Sequence, residues 1–187
     1  MSNIGSQTLW HLPVDSYDRR AQEPIFWFSS AQQLRRATRL VWAGVQADIE
    51  KLKMMKQLTD EELSTSNIQF EIGVHGVVVF LGALAIENLL KASLVKKDLS
   101  VATNGKLRGK IITSHDLVRI AQEAKVSLDA DELRFCELGK TAIESWGRYP
   151  LGKSVSATNG NIFLSFEIIE VFERLFSKLA SDLKFPD

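Results

Sequence analysis

Between Asn67 and Lys97 the chain reads NIQFEIGVHGVVVFLGALAIENLLKASLVKK, its longest apolar-periodic run. Phe70, Val74, Val77, Leu81, Leu84 and Asn88 recur at helical spacing, and Val78, Ala85, Leu89 and Ala92 widen the stripe. So broad an apolar face predicts a helix covered on most of its circumference, the central helix of an all-α fold. Ser66 and Gln69 offer it an N-terminal capping box. Gly73, Gly76 and Gly82 each cost about 1 kcal/mol relative to Ala inside a helix, and their spacing permits close approach of a neighbouring helix. No strand precedes them and no Gly-Lys-Ser/Thr follows, so they do not form a phosphate loop. The apolar part, Ile72 to Ile86, is about 15 residues, short of the roughly 20 that cross a bilayer. It runs on into Glu87 and Lys91. A buried core helix is expected, and no membrane partner.

A chain of 187 residues, 45% hydrophobic and 25% charged, has enough apolar side chains for one domain with a core. Lys plus Arg and Asp plus Glu both count 23, so bulk charge gives no attraction to nucleic acid, although a local basic face remains open. The single Cys136 excludes an intrachain disulfide and a cysteine zinc site. On its apolar stripe it reads as a small buried hydrophobe. The opening MSNIGSQTLWHLPVDSYDRR lacks the basic-then-apolar pattern of a signal peptide, so a cytoplasmic protein is expected.

The rest of the chain is read around that central helix. Residues 1–29 are aperiodic, interrupted by Pro13 and Pro24 and dotted with aromatics, and are expected to form an extended N-terminal arm packed on the bundle. Ser30 and Gln33 form a capping box for a first helix reaching about Gln57, with Arg35, Arg36 and Arg39 on a solvated face. Thr59-Asp60-Glu61-Glu62 suggests a short helical turn. Residues 98–114 form a loop with turn signals at Asn104-Gly105 and Gly109. From Lys91 to Lys110 the charges are Lys91, Lys96, Lys97, Lys106, Arg108 and Lys110 against Asp98 alone. Ser114 caps a short helix, His115 to Lys125. Asp129 and Glu132 open a fourth helix to about Trp146, with Leu133, Cys136, Ile143 and Trp146 inward, ended by Gly147 and Pro150. A last helix spans about Asn161 to Leu183, its stripe being Phe163, Phe166, Ile169, Phe172, Phe176 and Leu179. The expected architecture is an all-α, up-and-down bundle of about five helices over 30–187, with the arm at 1–29.

His11, His75 and His115 lie on three separate segments with no paired-ligand spacing, so neither a metal site nor a cofactor is expected. His75 and Glu71, one turn apart, read as a local hydrogen-bonded pair. Glu87 and Lys91 are a structural polar pair at i, i+4, emerging from a helix expected to be mostly covered. Arg148, just past the fourth helix, suits either helix carbonyls or an anion.

Ala85-x-Glu87-x-x-Leu90-Lys91-Ala92, then a polar loop, then His115-Asp116-Leu117, then Arg148-Tyr149-Pro150 together resemble the HEPN superfamily of small all-α domains, over roughly Ser30 to Leu183. Members occur in prokaryotic toxin–antitoxin, defence and RNA-processing systems. The resemblance implies a homodimer and one of two functions. One is a non-catalytic module for RNA, a nucleotide or a cognate protein partner, with Lys91, Arg108, His115 and Arg148 as candidate binding residues. The other is a metal-independent endoribonuclease, with His115 and Arg148 as catalytic candidates. The superfamily's Arg-x4-6-His motif is not in its usual place: no His follows Arg148, and the literal match, Arg108 to His115, falls in the loop before the third helix.

Overall fold

The computed structural model describes residues 14–56, 75–97, 101–144 and 167–184. About 80% of the described residues are helical, in six helices, with one small hairpin among them. In chain order these are α1 (Val14–Gln22), α2 (Pro24–Lys56), α3 (His75–Lys97), β1 (Ala102–Thr103), β2 (Lys106–Leu107), α4 (Leu117–Glu123), α5 (Ala130–Glu144) and α6 (Glu167–Leu183). The expected caps at Ser66 and Gln69, the turn at 59–62, Trp146, Phe163, Phe166, His11, the Glu71 partner of His75 and residues 1–13 of the arm lie outside the described residues, as does the His75 side chain.

Helix α3 is the axis of the core. Ala83, Ala85, Ile86, Leu89, Leu90 and Ala92 are fully buried, on several faces of the helix at once. It packs most extensively against α2 and also against α4, α5 and α6. By length and composition Gly76–Lys97 could cross a membrane, but 61% of its apolar window is buried by the rest of the fold. Gly82 lies against Phe172, where an added Cβ would stand 3.2 Å from the ring. The tightest approach is at a glycine outside the central helix: a Cβ on Gly139 would stand 2.7 Å from the Ala83 Cβ.

The described part of the N-terminal arm is helical, not extended. Pro24 occupies the first position of α2, where its missing N–H is no loss and its fixed φ suits a helix, so it starts the helix rather than interrupting the chain. Only Glu23 separates α1 from α2. The Trp27 indole donates to the Ala21 carbonyl at 2.8 Å, tying the two helices together, and Phe28 is buried in the main core. Ser30 is consequently inside α2, and its hydroxyl donates to the Phe26 carbonyl one turn back at 3.1 Å instead of capping.

Asn104 and Gly105 both have positive φ, 54° and 72°, as a two-residue primed hairpin turn requires. The Gly105 N–H donates to Asp18 at 2.9 Å and the Gln22 amide to the Ala102 carbonyl at 2.8 Å, so α1 holds the hairpin. At the start of α5 the Glu132 N–H donates to Asp129 Oδ1 at 2.8 Å and the Asp129 N–H to Glu132 Oε2 at 2.9 Å, a reciprocal capping box. Buried Glu132 also receives Lys178 of α6 at 2.7 Å. Leu133, expected inward, is 39% exposed, because the buried face of α5 runs through Glu132, Phe135, Cys136, Gly139, Ala142 and Ile143. Burial pushes the Cys136 thiol up to about 12, leaving it an inert core side chain.

Of the three arginines expected on a solvated face of α2, Arg36 and Arg39 are exposed, but Arg35 is buried. Arg35 is buried over the Phe176 ring, 4.3 Å from its centroid, and donates to Glu173 of α6 at 2.8 Å. Arg39 donates to both oxygens of the same carboxylate at 2.7 Å. Burial raises the Glu173 pKa, but the hydrogen bonds from Arg39 and Arg35 outweigh it and hold the carboxyl below its ordinary value of 4.5. The Arg39 side chain is nevertheless 56% exposed, and Arg36 is exposed too.

Two outcomes are expected. Gly139→Ala gains about 1 kcal/mol of helix propensity but forces a methyl into α3, a repacking that costs about 1–3 kcal/mol. Net destabilisation in thermal melts is expected, partly relieved by adding Ala83→Gly. Because the folded-state pKa of Glu173 is depressed, its contribution is complete above its unfolded value of 4.5 and is lost as pH falls through the lower folded value. Glu173→Gln is therefore expected to lose on the order of 2 kcal/mol in urea unfolding at pH 7, with the gap to wild type narrowing below pH 4.5.

Candidate functional site

Glu87 and Lys91 lie one turn apart on α3, each only 5% exposed. Lys91 Nζ donates to Glu87 Oε1 at 2.6 Å. The other carboxylate oxygen, Oε2, is 3.0 Å from Nδ1 of His115. One buried carboxylate is thus shared between a buried ammonium and an imidazole that is 40% exposed. A lone carboxylate at this depth would pay several kcal/mol of desolvation, which the Lys91 ion pair offsets.

The chain around His115 is pinned on both sides. The Ser114 hydroxyl accepts the Asp116 N–H at 3.0 Å. Asp116, rather than Ser114, is the N-cap of α4: its Oδ1 accepts the Arg119 N–H at 3.1 Å. Oδ2 receives Lys140 of α5 at 2.6 Å. The hydrogen bond from Lys140, with smaller help from the backbone, holds the Asp116 carboxyl below its ordinary range, and the same bond raises Lys140. His115 is therefore not the first residue of the helix. It occupies the short extended stretch before the cap and is aimed at Glu87 by the anchors on either side.

Of the sequence-expected residues, Glu87, Lys91 and His115 meet. Lys91 faces inward, with its ammonium occupied by Glu87. Arg108 follows the hairpin; its N–H donates to the Val101 carbonyl at 2.7 Å, and its exposed side chain makes no hydrogen bond or ion pair with a described residue. Arg148 lies outside the described residues. Lys140, which sequence reading passed over, belongs to the support of the site through Asp116.

The run of positive charge divides in two. Lys96 donates to the carbonyls of Asp182 and Leu183 at 3.4 and 3.3 Å, at the C-terminal end of α6. Lys97 donates to the Ala124 carbonyl, the C-cap of α4. Cations at helix C-termini satisfy orphan carbonyls and complement the helix dipole. Lys106, Arg108 and Lys110 remain exposed on the segment leading to His115.

Among the described residues no three His, Cys, Asp or Glu side chains converge on a point that could hold a metal. A carboxylate-oriented imidazole on a side chain that is 40% exposed can exchange a proton or contact an anion. Compared with protein-family models, with curated proteins and with solved structures, the chain matches none.

Lys91→Met strands Glu87 as a buried charge, and a loss of about 3–5 kcal/mol in chemical unfolding is expected. Glu87→Met combined with Lys91→Met removes both charges together. The double variant is expected to be more stable than Lys91→Met alone, a coupling that a double-mutant cycle measures directly.

Proposed function

We propose that the chain is a HEPN-like helical module that binds the phosphate groups of RNA or a nucleotide where His115 reaches the surface. The observation that carries this reading is the partly exposed His115 ring, held at Nδ1 by a buried carboxylate whose charge Lys91 already balances. The core needs no imidazole there for neutrality, so the contact serves to present the ring. The exposed cations Lys106, Arg108 and Lys110 on the adjoining segment support an anionic ligand. In this reading the helices form an up-and-down bundle of the superfamily type, paired as a homodimer in the cytoplasm of a prokaryote, within a defence, toxin–antitoxin or RNA-related system.

A second reading, a metal-independent endoribonuclease, draws on the same fixed imidazole. A nitrogen held in place beside a phosphate site could take the proton of an attacking 2′-hydroxyl, with Arg148 steadying the developing charge.

Both readings are tested by incubating the purified protein with labelled single-stranded RNA in EDTA. Binding followed by fluorescence anisotropy is expected to weaken with salt, and His115→Ala is expected to remove about 1.5 kcal/mol, a tenfold rise in Kd. Intact RNA with this binding pattern favours the module. Cleavage lost in both His115→Ala and Arg148→Ala favours the nuclease. Absence of both binding and cleavage overturns the phosphate-site proposal.

A further inference from the structure

We infer that Glu87 is the positioning residue of this site and fixes His115 as the Nδ1–H tautomer, with its Nε2 lone pair left for the ligand. The inference rests on the phosphate-site reading for its use, but not for its chemistry. Oε1 of Glu87 is taken by Lys91 and Oε2 by His115 Nδ1. With one oxygen accepting from the Lys91 ammonium, the carboxylate presents its other oxygen as an acceptor, so the imidazole nitrogen facing it is the one that carries hydrogen. Which ring nitrogen bears the proton is set by the hydrogen bond the other makes, and here that choice is made inside the core. Among the described residues Nε2 has no hydrogen-bond partner, on a side chain that is 40% exposed.

The other charged groups near the ring do not oppose this assignment. Asp116, the next residue, is turned to Lys140 of α5 and to the Arg119 N–H, so its oxygens are engaged elsewhere. Lys91 faces Glu87 and has no acceptor role. The result is a ring with two chemical faces set by its own protonation. Neutral, it offers Nε2 as an acceptor to a hydroxyl; protonated, it offers N–H to a phosphate oxygen. A ribose phosphate carries both partners, a hydroxyl beside a phosphate, which makes a ribonucleotide unit the ligand class that uses the arrangement fully.

The tautomer is read from the imidazole nitrogen shifts of 15N-labelled protein, without ligand, at a pH where the ring is neutral. The expected wild-type signature is a pyrrole-like Nδ1 and a pyridine-like Nε2. An Nε2–H signature, or two shifts averaged as in a free imidazole, overturns the inference. Glu87→Gln supplies the sharper arm. Lys91 would claim the amide oxygen, turning the amide NH2 toward Nδ1, and His115 is expected to switch to the Nε2–H form. An unchanged Nδ1–H signature in that variant removes Glu87 from the role. Should Glu87→Gln fail to fold, Glu87→Met with Lys91→Met removes the clamp without leaving a buried charge, and the same loss of the Nδ1–H signature is expected. Because these spectra need no RNA, they succeed or fail independently of the binding assay. If RNA binds, Glu87→Gln is expected to weaken it severalfold and to alter its pH profile, which a loss of mere stability would not do.

Discussion

A helix without a polar side must be covered all round, and this one demand organises the molecule. Helix α3 cannot rest on a single neighbour, because its fully buried residues, such as Ala83, Ile86 and Leu90, point in different directions. Helices α2, α4, α5 and α6 each take part of its surface. Where two of them must approach closely, small residues allow it: Gly139 of α5 against Ala83, and Gly82 beneath the ring of Phe172. The surrounding helices are then joined to one another by long-range polar contacts, Arg35 and Arg39 to Glu173, and Lys178 to Glu132. Arg39, Glu173 and Lys178 are partly exposed, which spares their charge-assisted hydrogen bonds the full desolvation penalty, whereas Glu132 is fully buried and depends on Lys178 and its capping bond.

The same demand explains the fate of the positive charge. A long apolar helix ends among the ends of its neighbours, and helix C-termini there present unpaired carbonyls. Lys96 and Lys97, in the last turn of α3, reach the C-terminal carbonyls of α6 and α4. What reads in sequence as one basic stretch is therefore two populations. Lys96 and Lys97 of α3, though exposed, are bonded to neighbouring helix ends, whereas the side chains of Lys106, Arg108 and Lys110 beyond it make no hydrogen bond or ion pair with a described residue.

Periodicity made the apolar helices legible but not the most buried face of α3. Val77 is 40% exposed and Leu81 and Leu84 are half-buried, whereas Val78, Ala85, Leu89 and Ala92, read only as widening the stripe, are buried. Local capping chemistry made some boundaries legible. The all-α class, the buried central helix and the Asp129–Glu132 box all follow from residues within a few positions of one another. Patterns that depend on a distant partner did not. Ser30 with Gln33 has the form of a helix start, but Pro24 begins the helix earlier, so the local signal was overridden. Arg35 resembles a solvated charge until Glu173 arrives from more than 130 positions away, and Arg39, still exposed, joins the same carboxylate. Leu133 has the spacing of the α5 stripe, yet the helix faces the core with Glu132, which is paired there with Lys178. At the site, the Glu87–Lys91 spacing was readable. That the second oxygen of Glu87 faces His115 was not, since 28 residues separate them.

A buried ion pair is weak evidence of stability, because well-packed apolar side chains of similar volume often serve as well or better. Glu87 and Lys91 are buried on a helix whose Ala85, Ile86, Leu89, Leu90 and Ala92 belong to the main core. Their retention in the core is better explained by what only a carboxylate can do here. Leu or Met at position 87 would pack, but neither could accept the His115 Nδ1–H. Gln could meet the ring, but it would direct an N–H toward it. Lys91 then follows as a consequence, since an ionised carboxylate at this depth needs a counter-charge, and a lysine one helical turn later supplies it along the same helix. The charge pair in the core and the oriented ring at the surface are thus a single device. Its buried half makes little sense energetically without its exposed half.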